Sequence, residues 1–277
     1  MKPSRDDIAA PEFPPRLTWV GDAPASMAGL TAAGPVLVHF FEFAQLNSVR
    51  SLPYLLEWRR RYQPHGLSTI GVQAPRFPFG FDPGVVADGL GRLGVEHPVA
   101  LDSDRELWQD YGCTGWPSLF LWGRGGALRW VHFGEGEYAA TEEAIQAELR
   151  VAEPLADLPA PVEPLRASDS PGARVMPPSE EVFPGGSHER PWVGDGQRSL
   201  ELAYEGGGAH VTTEGRGGIE VEIDGADAGT IGVPAPGIYT LAEHPSHESH
   251  TLTLRPTAGL SVWSVSFSAG VPPAGPG

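Results

Sequence analysis

Residues 40–55 read FFEFAQLNSVRSLPYL. An apolar approach ends at Glu42, a short polar turn follows from Gln45 to Ser48, and a helix begins. Upstream, PVLVHFFE (35–42) is a nearly continuous run of β-formers, which suits a central strand covered on both faces. Downstream, Leu52, Leu55, Leu56 and Tyr62 recur near helical spacing, with a basic outer face. Strand, polar turn and helix together mark the entry to an α/β layer.

The alternation continues outward from that stretch. HGLSTIGVQAP is a strand ended by Pro75. Residues 83–93, PGVVADGLGRL, read as a helix, although Gly89 and Gly91 each weaken it by ~1 kcal/mol relative to Ala. HPVALDSD is a short strand and turn, and residues 104–111 form a short helix stopped by Gly112. SLFLWG and ALRWVHFG are strands joined by a Gly-rich turn. Thr141 is the expected N-cap of TEEAIQAELR, with Glu142 and Glu143 at the positive helix end. The order β-α-β-α-β-α-β-β-α is that of an α/β layered domain over residues 1–150.

Residues 151–180 are rich in Pro, Ala and acids and read as a semi-rigid linker. Beyond them the period changes to two. IEVEIDG places Ile219, Val221 and Ile223 on one face, and SLELAYE, AHVTTE, IYTLAE, HTLTLRP and LSVWSVSFS are further strands. With Asp224-Gly225 and Gly206–Gly208 as turns, residues 181–270 read as an all-β sandwich of roughly seven short strands. Residues 271–277 are an expected tail.

The chain has 277 residues, 40% hydrophobic and 19% charged, with a net charge of −16 and a pI near 4.9. An acidic surface repels phosphate backbones and anionic lipid headgroups, so neither nucleic acid nor a membrane surface is an expected partner. The start, MKPSRDDIAAPEFPPR, lacks the apolar segment of a secretory signal, and no run reaches the ~20 apolar residues of a membrane span. The single cysteine, Cys113, excludes an internal disulfide. These features make a cytoplasmic location the expectation.

PVLVHFFEFAQLNS and YGCTGWPSLFLW, with the order of elements between them, resemble the thioredoxin-fold family: a strand entering the active-site loop, and the loop that carries a cis proline. About 70 residues separate the two. That leaves room for an inserted strand and helix of the TlpA/peroxiredoxin type, since a strand–helix–strand unit takes ~30 residues or more. SLPYL, IGVQAPRFPF, GVEHPVALDSD and VHFGEGEY are similar to the thioredoxin-like region of DipZ-type proteins. In those proteins a carbohydrate-binding-module-like, jelly-roll β-sandwich follows.

The resemblance implies a Cys-x-x-Cys pair where this chain has Gln45 and Ser48, and an acid where it has His39. Thiol exchange requires a thiolate stabilised at the helix start and a second thiol to resolve the mixed disulfide. Neither residue supplies one, and the Thr-x-x-Cys of the peroxidase variant is missing too. Cys113 stands four residues before Pro117, the resemblance-implied cis proline. It is either a small buried hydrophobe or a one-cysteine redox site. His39 is either a core histidine or a general base paired with Ser48. His244, His247 and His250 read as a solvated hairpin loop against a zinc site. Trp263 reads as core against a sugar platform. Trp116, before the implied cis proline, would form one wall of a binding groove.

The expected function is that of a catalytically degenerate thioredoxin-like binding or scaffold module. Its groove, formed by the Gln45–Ser48 and Trp116–Pro117 loops, would take a protein or small-molecule ligand. The alternative is a thiol-dependent antioxidant oxidoreductase using Cys113. No cofactor and no metal are expected. Whether the sandwich binds glycan, packs between domains or makes a homodimer stays open.

Overall fold

The computed structural model describes residues 8–273; part of the expected tail and the first seven residues of the chain's start lie outside them. The chain forms two compact units. The first comprises Met1–Glu42, Asn47–Pro75 and Leu90–Glu163, and the second Phe43–Leu46, Arg76–Gly89 and Pro164–Gly277.

In the first unit a six-stranded sheet has the order β1-β4-β3-β2-β5-β6. Its strands are β1 (Thr18–Val20), β2 (Val36–Phe41), β3 (Ser68–Gln73), β4 (Val99–Leu101), β5 (Ser118–Trp122) and β6 (Leu128–Phe133). β2, β3 and β4 run parallel, while β5 pairs antiparallel with β2 and β6 with β5. Helices are α1 (Met27–Ala33), α2 (Leu46–Tyr62), α3 (Pro83–Arg92), α4 (Glu106–Asp110) and α5 (Tyr138–Ala152).

Every residue of β2 is buried because two cores claim alternate side chains. Val36, Val38 and Phe40 pack with Val72, Trp108, Tyr111 and Phe120 on one face. Leu37 packs with Leu52, Leu55, Trp58, Tyr62 and Ile145 on the other. A strand–helix–strand core with an antiparallel β5–β6 pair beside β2 is the thioredoxin arrangement, so this unit has the thioredoxin-like fold.

Two N-terminal elements carry no strong sequence signal. β1 has three residues and pairs with β4. α1 has seven, its start fixed by Ser26, whose Oγ accepts from Gly29 N, and by the Glu12 carboxylate, which accepts from Met27 N and Ala28 N. The expected cap at Thr141 is corrected. α5 begins at Tyr138, and Thr141 is buried inside it, accepting from Trp130 Nε1 at 3.2 Å. Glu142 is buried as well, accepting from Tyr62 Oη at 2.6 Å and Val162 N at 2.8 Å. The cap reading failed because these polar groups serve tertiary contacts rather than the helix end.

The second unit contains one antiparallel sheet, ordered β10-β9-β11-β8-β12-β7. Its strands are β7 (Trp192–Val193), β8 (Leu200–Glu214), β9 (Gly217–Ile223), β10 (Ala226–Val233), β11 (Gly237–Pro256) and β12 (Ser261–Ser268). β9 pairs with the far end of β11, at Leu252–Pro256, and β12 with the far end of β8, at Gly208–Glu214. These are opposite ends of one long ladder, so the two halves are offset and enclose a common core of Tyr204, Val211, Val221, Leu254, Val262 and Phe267, consistent with a β-sandwich.

Three expectations change here. The short strands expected as SLELAYE and AHVTTE are one strand, β8, and those expected as IYTLAE and HTLTLRP are one strand, β11. Gly206–Gly208 are strand residues rather than a turn, because other backbone approaches them: a Cβ would lie 3.0 Å from Ser268 O at Gly206, 2.8 Å from Ala269 O at Gly207 and 2.7 Å from Ala242 O at Gly208. His244–His247 form a bulge within β11, where the register jumps from Glu243↔Gly208 to Glu248↔Gly206.

Candidate functional site

The turn after β2 carries Gln45, and Ser48 lies in the first turn of α2, which begins at Leu46 rather than after Ser48. Ser48 is fully buried, and its Oγ accepts from Glu42 N at 3.2 Å. Gln45 is half-buried and belongs to the second unit. In that unit its neighbour Ala44 gives its carbonyl to Thr212 Oγ1 of β8 at 2.8 Å.

His39 lies beneath this turn on β2, fully buried, with its ring stacked on Phe41 at 4.9 Å. Its Nε2 is 3.3 Å from Ser51 Oγ, which itself donates to Ser48 O at 2.7 Å. The residue beside the histidine is therefore Ser51. Burial, and then the neighbouring His97, push the His39 pKa down to about 3. Among the described residues His39 Nδ1 and both ring nitrogens of His97 have no hydrogen-bond partner.

Sequence reading missed Glu42. This carboxylate is fully buried three positions before Gln45, and Gln73 Nε2 lies 3.4 Å from its Oε1. An acid ending an all-apolar strand was the available signal. His97, 2% exposed, gave none, because its burial depends on packing over Gly71.

Cys113 is 8% exposed and sits in the core with Phe40, Trp108 and Tyr111. Burial pushes its thiol pKa up to about 12, against a hydrogen bond with Ser118 that pulls the other way. No basic group stands among the causes of that shift, and burial outweighs the Ser118 hydrogen bond, so the thiol form is favoured.

The Trp116–Pro117 peptide is cis. Trp116 is held in place: its Nε1 donates to Ala74 O at 3.0 Å, its ring lies 4.8 Å from Trp108, and the Arg105 guanidinium lies over both rings at 5.1 and 5.6 Å. Arg105 is fixed in turn by a bond to Pro75 O at 2.8 Å. Trp116 is half-buried, so the indole offers a rigid surface.

In the second unit Trp263 is 4% exposed and packs on Phe77 and Phe79 at 5.8 and 5.9 Å, which makes it a core residue. The three β11 histidines do not converge: His244 and His250 stack, while His247 is anchored by its backbone to Val271 O. Among the described residues no group of three or more His, Cys, Asp or Glu could hold a metal ion, and no helix is long and apolar enough to cross a membrane.

No family model matches the sequence. The chain is 27% identical over 298 aligned positions to Protein DipZ of Mycobacterium tuberculosis, covering 93% of this chain and 42% of DipZ, so it spans less than half of that relative's length. It is 30% identical over 132 positions to NHL repeat-containing protein 2 of Homo sapiens, covering 47% of this chain and 18% of that protein. Among solved structures, a putative thiol:disulfide interchange protein DsbE from Chlorobium tepidum is 23% identical with a TM-score of 0.44, covering 51% of this chain and 95% of that one. The chain thus joins a thioredoxin-like unit to an antiparallel β unit and is similar to DipZ across nearly its whole length.

Proposed function

We propose that this protein is a thioredoxin-fold binding or scaffold module that does not exchange thiols and disulfides. One observation carries the reading: the chain's only sulfur nucleophile, Cys113, is buried with a raised pKa, while Gln45 and Ser48 stand where the resemblance implies a redox pair. A thiolate three pH units further from reach leaves about a thousandth as much nucleophile at a given pH. The rigid Trp116 surface supports retention of a ligand-binding face, for a protein segment or a small molecule.

The test is capture. The folded protein is incubated with oxidised glutathione and with a disulfide-bonded peptide, then quenched and weighed intact. The module reading expects unmodified mass in both. A mixed disulfide that forms in the folded protein and disappears in Cys113→Ala would replace this reading with a one-cysteine oxidoreductase.

A further inference from the structure

In the second unit four residues, His244–His247, are inserted in β11 opposite the single residue Gly207 of β8. Such a bulge leaves its own backbone outside the β8 ladder, so other contacts must hold it. Two devices do. The His247 amide donates to Val271 O at 2.7 Å. The His244 ring stacks on His250 with centroids 3.9 Å apart and planes 20° from parallel, and its Nε2 meets Tyr204 Oη at 2.7 Å.

The groups around this pair come from every neighbouring element. β8 supplies Tyr204 and Glu205, the latter bonded to Ser249 Oγ at 3.2 Å. The β9–β10 turn supplies Asp224, whose Oδ2 is 2.7 Å from His250 Nδ1 and whose Oδ1 accepts from Thr251 N. β11 itself supplies Glu248, 4.0 Å from His250 Nε2. β12 supplies Phe267, which stacks on Tyr204 and carries no charge. The preceding segment supplies the Ser179 hydroxyl. Beside the pair a cleft of about 440 Å³ is lined by Tyr204, Glu205, Asp224, Ser249 and His250.

Charge on the two imidazoles is unequally supported. His250 faces Asp224 directly and Glu248 at longer range, so positive charge on that ring is matched by a carboxylate. His244 has no carboxylate at bonding distance, and its pKa is held below the ordinary range by burial and by His250. Protons on both rings place two cations face to face at stacking distance.

We propose that the His244–His247 bulge is an acid-released latch: neutral imidazoles stack and hold it against β8, and protonation of both rings drives them apart and frees it. Freeing it takes the His244 ring off Tyr204 Oη beside the adjoining cleft, so the cleft widens on acidification.

The test is amide hydrogen exchange of the full chain, corrected for intrinsic rates, at pH 7.5 and pH 5. Protection of the His247 and Thr251 amides should fall about tenfold more than that of β2 amides, which report global opening. In His244→Phe, which keeps a ring but takes no proton, the extra fall should vanish. A fall in the wild type no larger than that of the β2 amides overturns the latch without any variant, and so does a full extra fall that survives in His244→Phe.

Discussion

At the residue scale the chemistry turns on what burial does to three side chains. Cys113 has the thiol but not the setting. With its pKa pushed up to about 12 from an ordinary 9.0, it should react with an aromatic disulfide reagent about a thousandfold more slowly than a free thiol at pH 8, and at the ordinary rate once denatured. Fast labelling of the native protein would show that the thiol is exposed. His39 and His97 stay neutral in the fold, with pKa values lowered to about 3 and about 4 from 6.5. The sign follows directly. Above pH 6.5 neither state binds these protons and stability is full. As pH falls, the unfolded chain is protonated first and stability declines until the folded values are reached. At pH 5 each histidine should remove roughly 2 kcal/mol. Urea midpoints at pH 7.5 and 5 check this, and His39→Leu should make the decline shallower. A flat profile would mean that the rings are already charged or solvated in the native state.

At the element scale the sequence exposed the regular parts well and the irregular parts poorly. β2, β3 and β5 were legible because buried strands are apolar runs, and α2 and α3 because apolar residues recur at helical spacing. β1 and α1 were not: a three-residue strand and a seven-residue helix depend on partners such as Glu12 and β4 rather than on their own pattern. Gly206–Gly208 looked like a turn, since nothing local reveals that backbone from β12 and β11 passes within 3 Å or so of where a Cβ would be. At the site, Gln45 and Ser48 were singled out by the resemblance of the strand–turn–helix pattern. The burial of Glu42, the Ser51 contact of His39 and the stacked His244–His250 pair were not, because each joins residues through tertiary packing. Gly89 tests the same idea. Alanine there has the better helix propensity, but its Cβ would fall 2.4 Å from the Phe43 ring. Gly89→Ala should therefore destabilise by about 1–3 kcal/mol, read as a lower urea midpoint. A gain in stability would show that the Phe43 ring moves aside freely.

At the scale of the whole molecule the units are not consecutive stretches. The second unit takes Phe43–Leu46 and Arg76–Gly89 from within the thioredoxin-like half of the sequence. Trp263 rests on Phe77 and Phe79, and Thr212 on the Ala44 carbonyl. Residues 164–277 produced alone would lose these partners, uncovering an aromatic side chain whose burial is worth about 3 kcal/mol or more. That fragment should lack a cooperative unfolding transition of the β unit in calorimetry, and the full chain should show it. A sharp transition in the isolated fragment would establish the β unit as self-sufficient. The net charge of −16 acts at this scale too, opposing association with polyanions.

The central claim, that the thioredoxin-like unit persists here without thiol exchange, is tested most directly by reduction of insulin with dithiothreitol. Insulin chains should precipitate no faster with this protein than in buffer, and no differently with Cys113→Ala, while a Cys-x-x-Cys thioredoxin assayed alongside accelerates the reaction. Acceleration by the wild type that is lost in Cys113→Ala would contradict the account.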